Sequence, residues 1–245
     1  NFTGSDCSIS KYLLIQRQAL RSEMLTGLAS VLSSSRSFVS DNLGSLSDTL
    51  SSLTGNVYEV SPNMVTTINQ VALSVLTSAS QSNATVKYDA LSGILSSVNT
   101  IMQVSSIHNQ QSTQMLNLFS DLISSQLVPG EDSVNYIYDS FRMKVVSASV
   151  NPLSGGQLMM TIEAPQTAME AAFGSKSASS VSIQQTHRSD DGNNRLIDLS
   201  VSMIVIIASS YGLLLAAKMN NNPVQLKLSS SSSIENTEIV FYIDP

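Results

Sequence analysis

The chain has 245 residues with a hydrophobic fraction of 42% and a charged fraction of 12%, and its 12 basic against 18 acidic side chains leave a net charge of −6. That apolar share is enough for a sizeable core and argues against a disordered chain. The acidic balance, with no basic stripe, argues against a nucleic-acid partner and against a basic amphipathic helix lying on a membrane.

With so little charge, serine, threonine, asparagine and glutamine must carry solubility, a composition that suits secreted, glycosylated surfaces. The chain opens on Asn1 with no methionine and no signal-like segment, which reads as a processed product or a segment of something longer. Two glycosylation sequons occur, Asn1-Phe2-Thr3 and Asn83-Ala84-Thr85, so Asn1 and Asn83 are candidate glycan acceptors. The single cysteine, Cys7, cannot form a disulfide within the chain. It is either a free, partly buried thiol or half of a bridge to a partner or segment outside this chain.

From about Ile9 to Leu127 the apolar residues keep helical spacing. Leu13, Leu20, Met24, Leu28 and Val31 (or Leu32) form a first stripe, and Val39, Leu43, Leu46, Leu50 and Leu53 a second. No Gly or Pro falls between residues 36 and 41, so the two stripes belong to separate helices or to one bent helix. Gly55-Asn56 interrupts, and Ser61-Pro62 restarts the pattern as N-cap and first helical residue. Met64, Ile68, Val71 and Val75 line that helix; Val86, Ala90, Ile94, Val98 and Ile101 line the next; Met115, Leu118 (or Phe119), Leu122 and Leu127 line the last. Such narrow stripes are marginal alone and predict a bundle that buries them against one another.

Val128-Pro129-Gly130 marks the sharpest boundary, dividing a helical subdomain, 1–127, from a β-sandwich subdomain, 128–245. Beyond it the apolar period drops to two. Phe141, Met143 and Val145 alternate with Arg142 and Lys144, and Leu158, Met160 and Ile162 follow after a turn, which predicts a hairpin. Met169 centres a short helix, Val181 and Ile183 mark a modest strand, and residues 190–194 make a turn. Val224 to Leu228 and Ile239 to Ile243 complete the strands.

Residues 199–217 are the most apolar run, and two readings compete for it. As one helix its 19 residues would reach about 28 Å at ~1.5 Å each, enough for a membrane span. The alternation of Leu199, Val201, Met203, Val205 and Ile207 with Ser200 and Ser202, then Ser209-Ser210-Tyr211-Gly212, favours two strands of a central hairpin. On that reading Ser200 and Ser202 face away from the core that Leu199, Val201 and Met203 enter. The fold class is therefore α+β, a helical bundle followed by an antiparallel β-sandwich.

No catalytic, cofactor-binding or metal-ligating set stands out. His108 and His187 lie in different halves, far in sequence from Cys7, so no zinc spacing exists. No G-x-S-x-G elbow marks a serine nucleophile, and residues 189–194 lack the spacing and terminal glutamate of a calcium loop. Enzymatic function is not expected, nor any cofactor.

The segment 61–77, SPNMVTTINQVALSVLT, the helix from Val86 to Met102, the passage from Asp132-Ser133-Val134 into Phe141–Val145, and Asn222 to Leu228 carry a resemblance. They are similar to the GAIN-type region of polycystin-1 and receptor-for-egg-jelly proteins, which adhesion receptors share. The resemblance implies a GAIN-like fold in an extracellular adhesion or structural module of a larger cell-surface or ciliary glycoprotein, one that transmits or resists force. It implies other protein domains or glycoproteins as partners, with membrane contact only through segments outside this chain. The family's closing proteolysis site carries Cys and Trp; this chain has no Trp and no late Cys, so self-cleavage is not carried over. The competing reading is a membrane-anchored helical sensor or filament subunit with its span at 199–217.

Overall fold

A computed structural model describes residues 2–3, 9–34, 42–81, 87–105, 110–150, 158–172, 180–186, 197–206, 224–230 and 238–243. The protein is α+β, and the chain divides into two compact units, Asn1–Leu122 and Ile123–Pro245.

The first unit opens on two short paired strands, β1 (Phe2–Thr3) and β2 (Ile9–Ser10). Helices α1 (Lys11–Ser34), α2 (Leu43–Thr54), α3 (Val65–Gln81), α4 (Ser92–Val104) and α5 (Gln110–Gln126) follow, the last crossing the boundary between the units. Three of them bury the faces their spacing predicts. On α3, Ile68, Val71, Ala72, Val75 and Leu76 are fully enclosed, with Met64 just ahead; on α4 it is Ile94, Leu95, Val98 and Ile101; on α2, Leu43, Leu46 and Leu50. Helix α5 buries Met115, Leu116, Phe119, Leu122 and Ile123. The entry to α3 differs in one detail from the predicted cap. Pro62–Met64 form a 3-10 turn before the α-helix proper, and the Ser61 N–H donates to Met64 Sδ at 3.4 Å.

Helix α1 departs from most of its predicted stripe. Leu13, Leu20, Met24 and Val31 are between 39% and 55% exposed and Leu28 is half-buried, while Leu32, the alternative to Val31, is buried together with Leu25. The helix is rotated by roughly a quarter turn from the orientation its heptad leucines suggest. The cause is polar, and is taken up with the site below.

The second unit begins at Ile123, within α5 and ahead of the predicted break at 127/128, and its strands follow a turn at Val128-Pro129-Gly130. The Glu131 N–H donates to the Val128 carbonyl at 3.0 Å, closing a turn in which Gly130 has φ +91°. Pro129 and Gly130 occupy the second and third positions that suit fixed negative and free positive φ. Strands β3 (Val134–Ile137), β4 (Phe141–Val150), β7 (Ile197–Ile206) and β8 (Val224–Ser230) form one antiparallel sheet in that order. Strands β5 (Leu158–Glu163), β6 (Ser180–Thr186) and β9 (Glu238–Ile243) form a second, with β6 central. A short helix, α6 (Ala168–Ala172), lies where Met169 predicts it.

Three expectations about strand pairing change. Strands β4 and β5 belong to different sheets, so the hairpin predicted from their adjacency is not formed; β4 pairs with β3 and β7. Within the run 199–217, the first part is strand β7, held on one edge by β4 and on the other by β8 from Leu199 to Val205. Its hairpin partner is therefore β8, and a single helix over the whole run is not what Leu199 to Ile206 form; residues 207–217 lie outside the described residues. Finally, Ile204 pairs with Met143 and both are buried. Strand alternation then assigns positions 200 and 202 to the face of Met143 and Val145, and positions 201, 203 and 205 to the opposite one. Register with β4 thus places positions 200 and 202, not 201 and 203, on the face of the buried Met143 and Ile204. Among the described residues no helix is long and apolar enough to cross a membrane.

Candidate functional site

The charged cluster in the helical unit is built on Glu59. A 3-10 turn, Val57–Glu59, follows α2, and the Asn56 side chain starts it by accepting the Tyr58 N–H at 3.1 Å. The turn leaves the Glu59 carboxylate almost wholly enclosed, 2% exposed. An enclosed carboxylate needs a partner, since desolvation of an unpaired charge is costly.

Helix α1 supplies two. Arg17 and Arg21 are four residues apart and so share one helical face. Arg17 Nη1 donates to Glu59 Oε1 at 2.8 Å, and Arg21 Nε donates to Oε2 at 2.7 Å, with Nη2 2.6 Å from the same oxygen. Arg21 Nη1 turns the other way and donates to the Ser52 and Leu53 carbonyls, at 2.9 and 2.7 Å. Those belong to the last turn of α2, where carbonyls lack intrahelical partners and a cation is favoured. Gln18 adds a bond to the Tyr58 carbonyl at 3.0 Å. Burial alone would raise the Glu59 pKa, but the hydrogen bonds and charges of Arg17 and Arg21 outweigh it and hold the carboxyl below its ordinary value.

This cluster sets the rotation of α1. To bring positions 17 and 21 onto Glu59, the helix must turn Leu13, Leu20, Met24 and Val31 outward. Charge-assisted bonds to an enclosed carboxylate favour this rotation, which buries Leu25 and Leu32 in place of the outward side chains. A sequence signal existed, the Arg pair at i and i+4, but nothing local ties it to a glutamate 38 residues beyond Arg21.

A second polar feature is a seam between α2 and α4. A Cβ added at Gly93 would stand 2.5 Å from the Ser47 carbonyl oxygen and 2.8 Å from its Oγ, so glycine is required for the two helices to approach this closely. Thr54 donates to Ser97 Oγ at 2.9 Å and Ser97 to the Gly93 carbonyl at 3.0 Å, which satisfies both enclosed hydroxyls. In the second unit, burial pushes the Tyr138 phenol up, its ring stacked obliquely on Phe141 with centroids 5.0 Å apart.

Chemically these are fastenings. Both Glu59 oxygens are engaged as acceptors and the group is held ionised, which leaves it no proton to donate. Among the described residues no three His, Cys, Asp or Glu side chains stand close enough to hold a metal ion. Of the residues predicted from the sequence, Asn1, Cys7, Asn83, His108, His187 and the turn 190–194 all lie outside the described residues. No family model matches the chain, and no curated protein matches it.

Proposed function

We propose that the chain is a non-enzymatic extracellular module, GAIN-like in architecture, of a larger cell-surface or ciliary glycoprotein of the polycystin-1 kind. It serves adhesion or structure and bears force, and it engages neighbouring protein domains rather than small substrates. The observation that carries this reading is the order of the two halves: five helices, then nothing but antiparallel strands and one short helix among the described residues, in a chain only 12% charged. The family resemblance of segment 61–77 and of the strands around Phe141 and Val224 supports it.

The β-half of this reading is a sandwich, with the four-stranded and three-stranded sheets packed face to face. What supports it is that Phe141, Met143, Val145 and Ile204 present one fully buried face of the first sheet, while Ile162 of the second is equally enclosed. A buried apolar face on the first sheet and an enclosed Ile162 on the second are most simply buried against each other.

Peptide mapping of protein from its native source tests the extracellular assignment. Glycan-modified Asn83 is the expected result, and unmodified Asn1 and Asn83 would count against it. A broad serine-reactive probe tests the absence of enzymatic function; stoichiometric labelling would overturn it.

A further inference from the structure

We infer that the N-terminal half of α1, residues 11–21, is a latched arm that opens on its own while the other helices of its unit stay folded, and that Glu59 is the latch. The inference stands apart from the extracellular assignment, since it rests on how α1 is attached.

Helix α1 has 24 residues, and its buried side chains are Leu25 and Leu32, both in its second half. In the first half no side chain is buried: Tyr12 is 72% exposed, Ile15 54%, Leu20 55%. Leu14 is no more than half-buried there, and the hydrogen bonds and ion pairs that tie this half to the end of α2 and the turn after it are polar. Arg17 and Arg21 meet Glu59, Arg21 also meets the Ser52 and Leu53 carbonyls, and Gln18 meets the Tyr58 carbonyl. The contrast with α3 is sharp, because α3 is enclosed along its whole length from Val65 to Ala79.

Apolar burial yields gradually, since contact area shrinks bit by bit as surfaces separate. A charge-assisted cluster yields in one step, because its bonds are directional and here converge on a single carboxylate. Losing Glu59 as acceptor releases Arg17 and the inner side of Arg21 together. Segments with few buried apolar contacts are those that open at low free energy, and residues 11–21 fit that description while the helices they rest on do not. Opening the arm adds Leu14, half-buried when the latch is closed, to Leu13, Ile15 and Leu20, which are exposed already.

Amide hydrogen exchange on the full chain, read by mass spectrometry, decides it. In the wild-type chain, peptides covering residues 11–21 should exchange at least about tenfold faster than those covering residues 65–76 of α3. Glu59→Gln, which keeps the side-chain shape and removes the charge, should speed exchange at 11–21 by a further factor of about ten. Equal protection of the two segments in the wild-type chain would overturn the inference, as would Glu59→Gln leaving exchange at 11–21 unchanged. Should Glu59→Gln fail to fold, Arg17→Gln removes one bond of the latch and leaves Arg21 in place. It should speed residues 11–21 by about threefold, and no change there would equally overturn the proposal.

Discussion

Helices α1 and α3 carry comparable leucine, isoleucine and valine content, yet they are attached to the same unit by different physics. Ile68, Val71, Val75 and Leu76 sink α3 into the core with essentially no exposed surface. Helix α1 keeps Leu13, Leu20, Met24 and Val31 at the surface and is oriented by Arg17 and Arg21 on Glu59. For α3 the hydrophobic effect selects the rotation, as is usual for an amphipathic helix. For α1 an enclosed carboxylate selects it, and the leucines follow. A strong apolar stripe therefore orients a helix only when no buried charge competes for the same turn.

The largest expected effect tests the α3 side of this contrast. Ile68→Ala should lower the stability of the helical unit by about 3 kcal/mol, from lost transfer energy and the cavity left behind. Leu20→Ala on α1 should change it by less than about 0.5 kcal/mol. Urea unfolding followed at the helical circular-dichroism band measures both, and equal losses would erase the distinction between the helices.

Next comes the tightest helix crossing. Gly93→Ala drives a methyl into the Ser47 backbone, whose carbonyl would be 2.5 Å away. Overpacking against backbone outweighs the helix propensity that alanine gains, for a net loss of about 2 kcal/mol. A stabilised Gly93→Ala protein would mean that α2 and α4 are free to separate, and the enclosed helices would then be no more tightly held than α1.

How far these arrangements were legible depends on the range of the interaction. The faces of α2, α3 and α4 could be read because one apolar stripe dominates each helix. On α1 two stripes overlap, one through Leu20 and Met24 and one through Leu25 and Leu32, and the partner that chooses between them lies beyond the next helix. The turn at Pro129-Gly130 was legible because it depends on two residues and their own dihedrals. Strand pairing was not. The alternation in Phe141 to Val145 identifies β4 correctly but does not say that β7, some fifty residues on, is its neighbour instead of β5. Ser200 and Ser202 misled for a related reason: polarity assigned them to the outer face, whereas register with β4 assigns them the inner one.

The Glu59 latch gives the third effect, and it depends on pH. Its carboxyl titrates lower in the folded chain than its ordinary value of 4.5. A group whose folded pKa is depressed stabilises the fold above its unfolded pKa, and that contribution disappears as pH falls through the folded value. Stability should accordingly decline on acidification from the ordinary carboxylate range downward, with Arg17 and Arg21 left facing a neutral acid. In Glu59→Gln this part of the decline should be absent, and at neutral pH the variant should start about 1.5–2 kcal/mol lower, the usual scale for hydrogen bonds to a charged group. Parallel pH curves for the two proteins would remove Glu59 from the account of α1.

The smallest effect is the most informative about α1, because its sign is the readout. Gly27 lies inside the helix, and a Cβ built there meets nothing within 4 Å. Glycine in a helix interior is disfavoured relative to alanine by its greater freedom in the unfolded chain. Gly27→Ala should therefore raise stability by about 0.5–1 kcal/mol, the opposite of Gly93→Ala although the substitution is the same. A loss at Gly27 would require something to stand against that face of α1 in solution. Leu20, Met24 and Val31 would then be covered by a neighbour, and α1 would be oriented by burial on two sides rather than by its arginines.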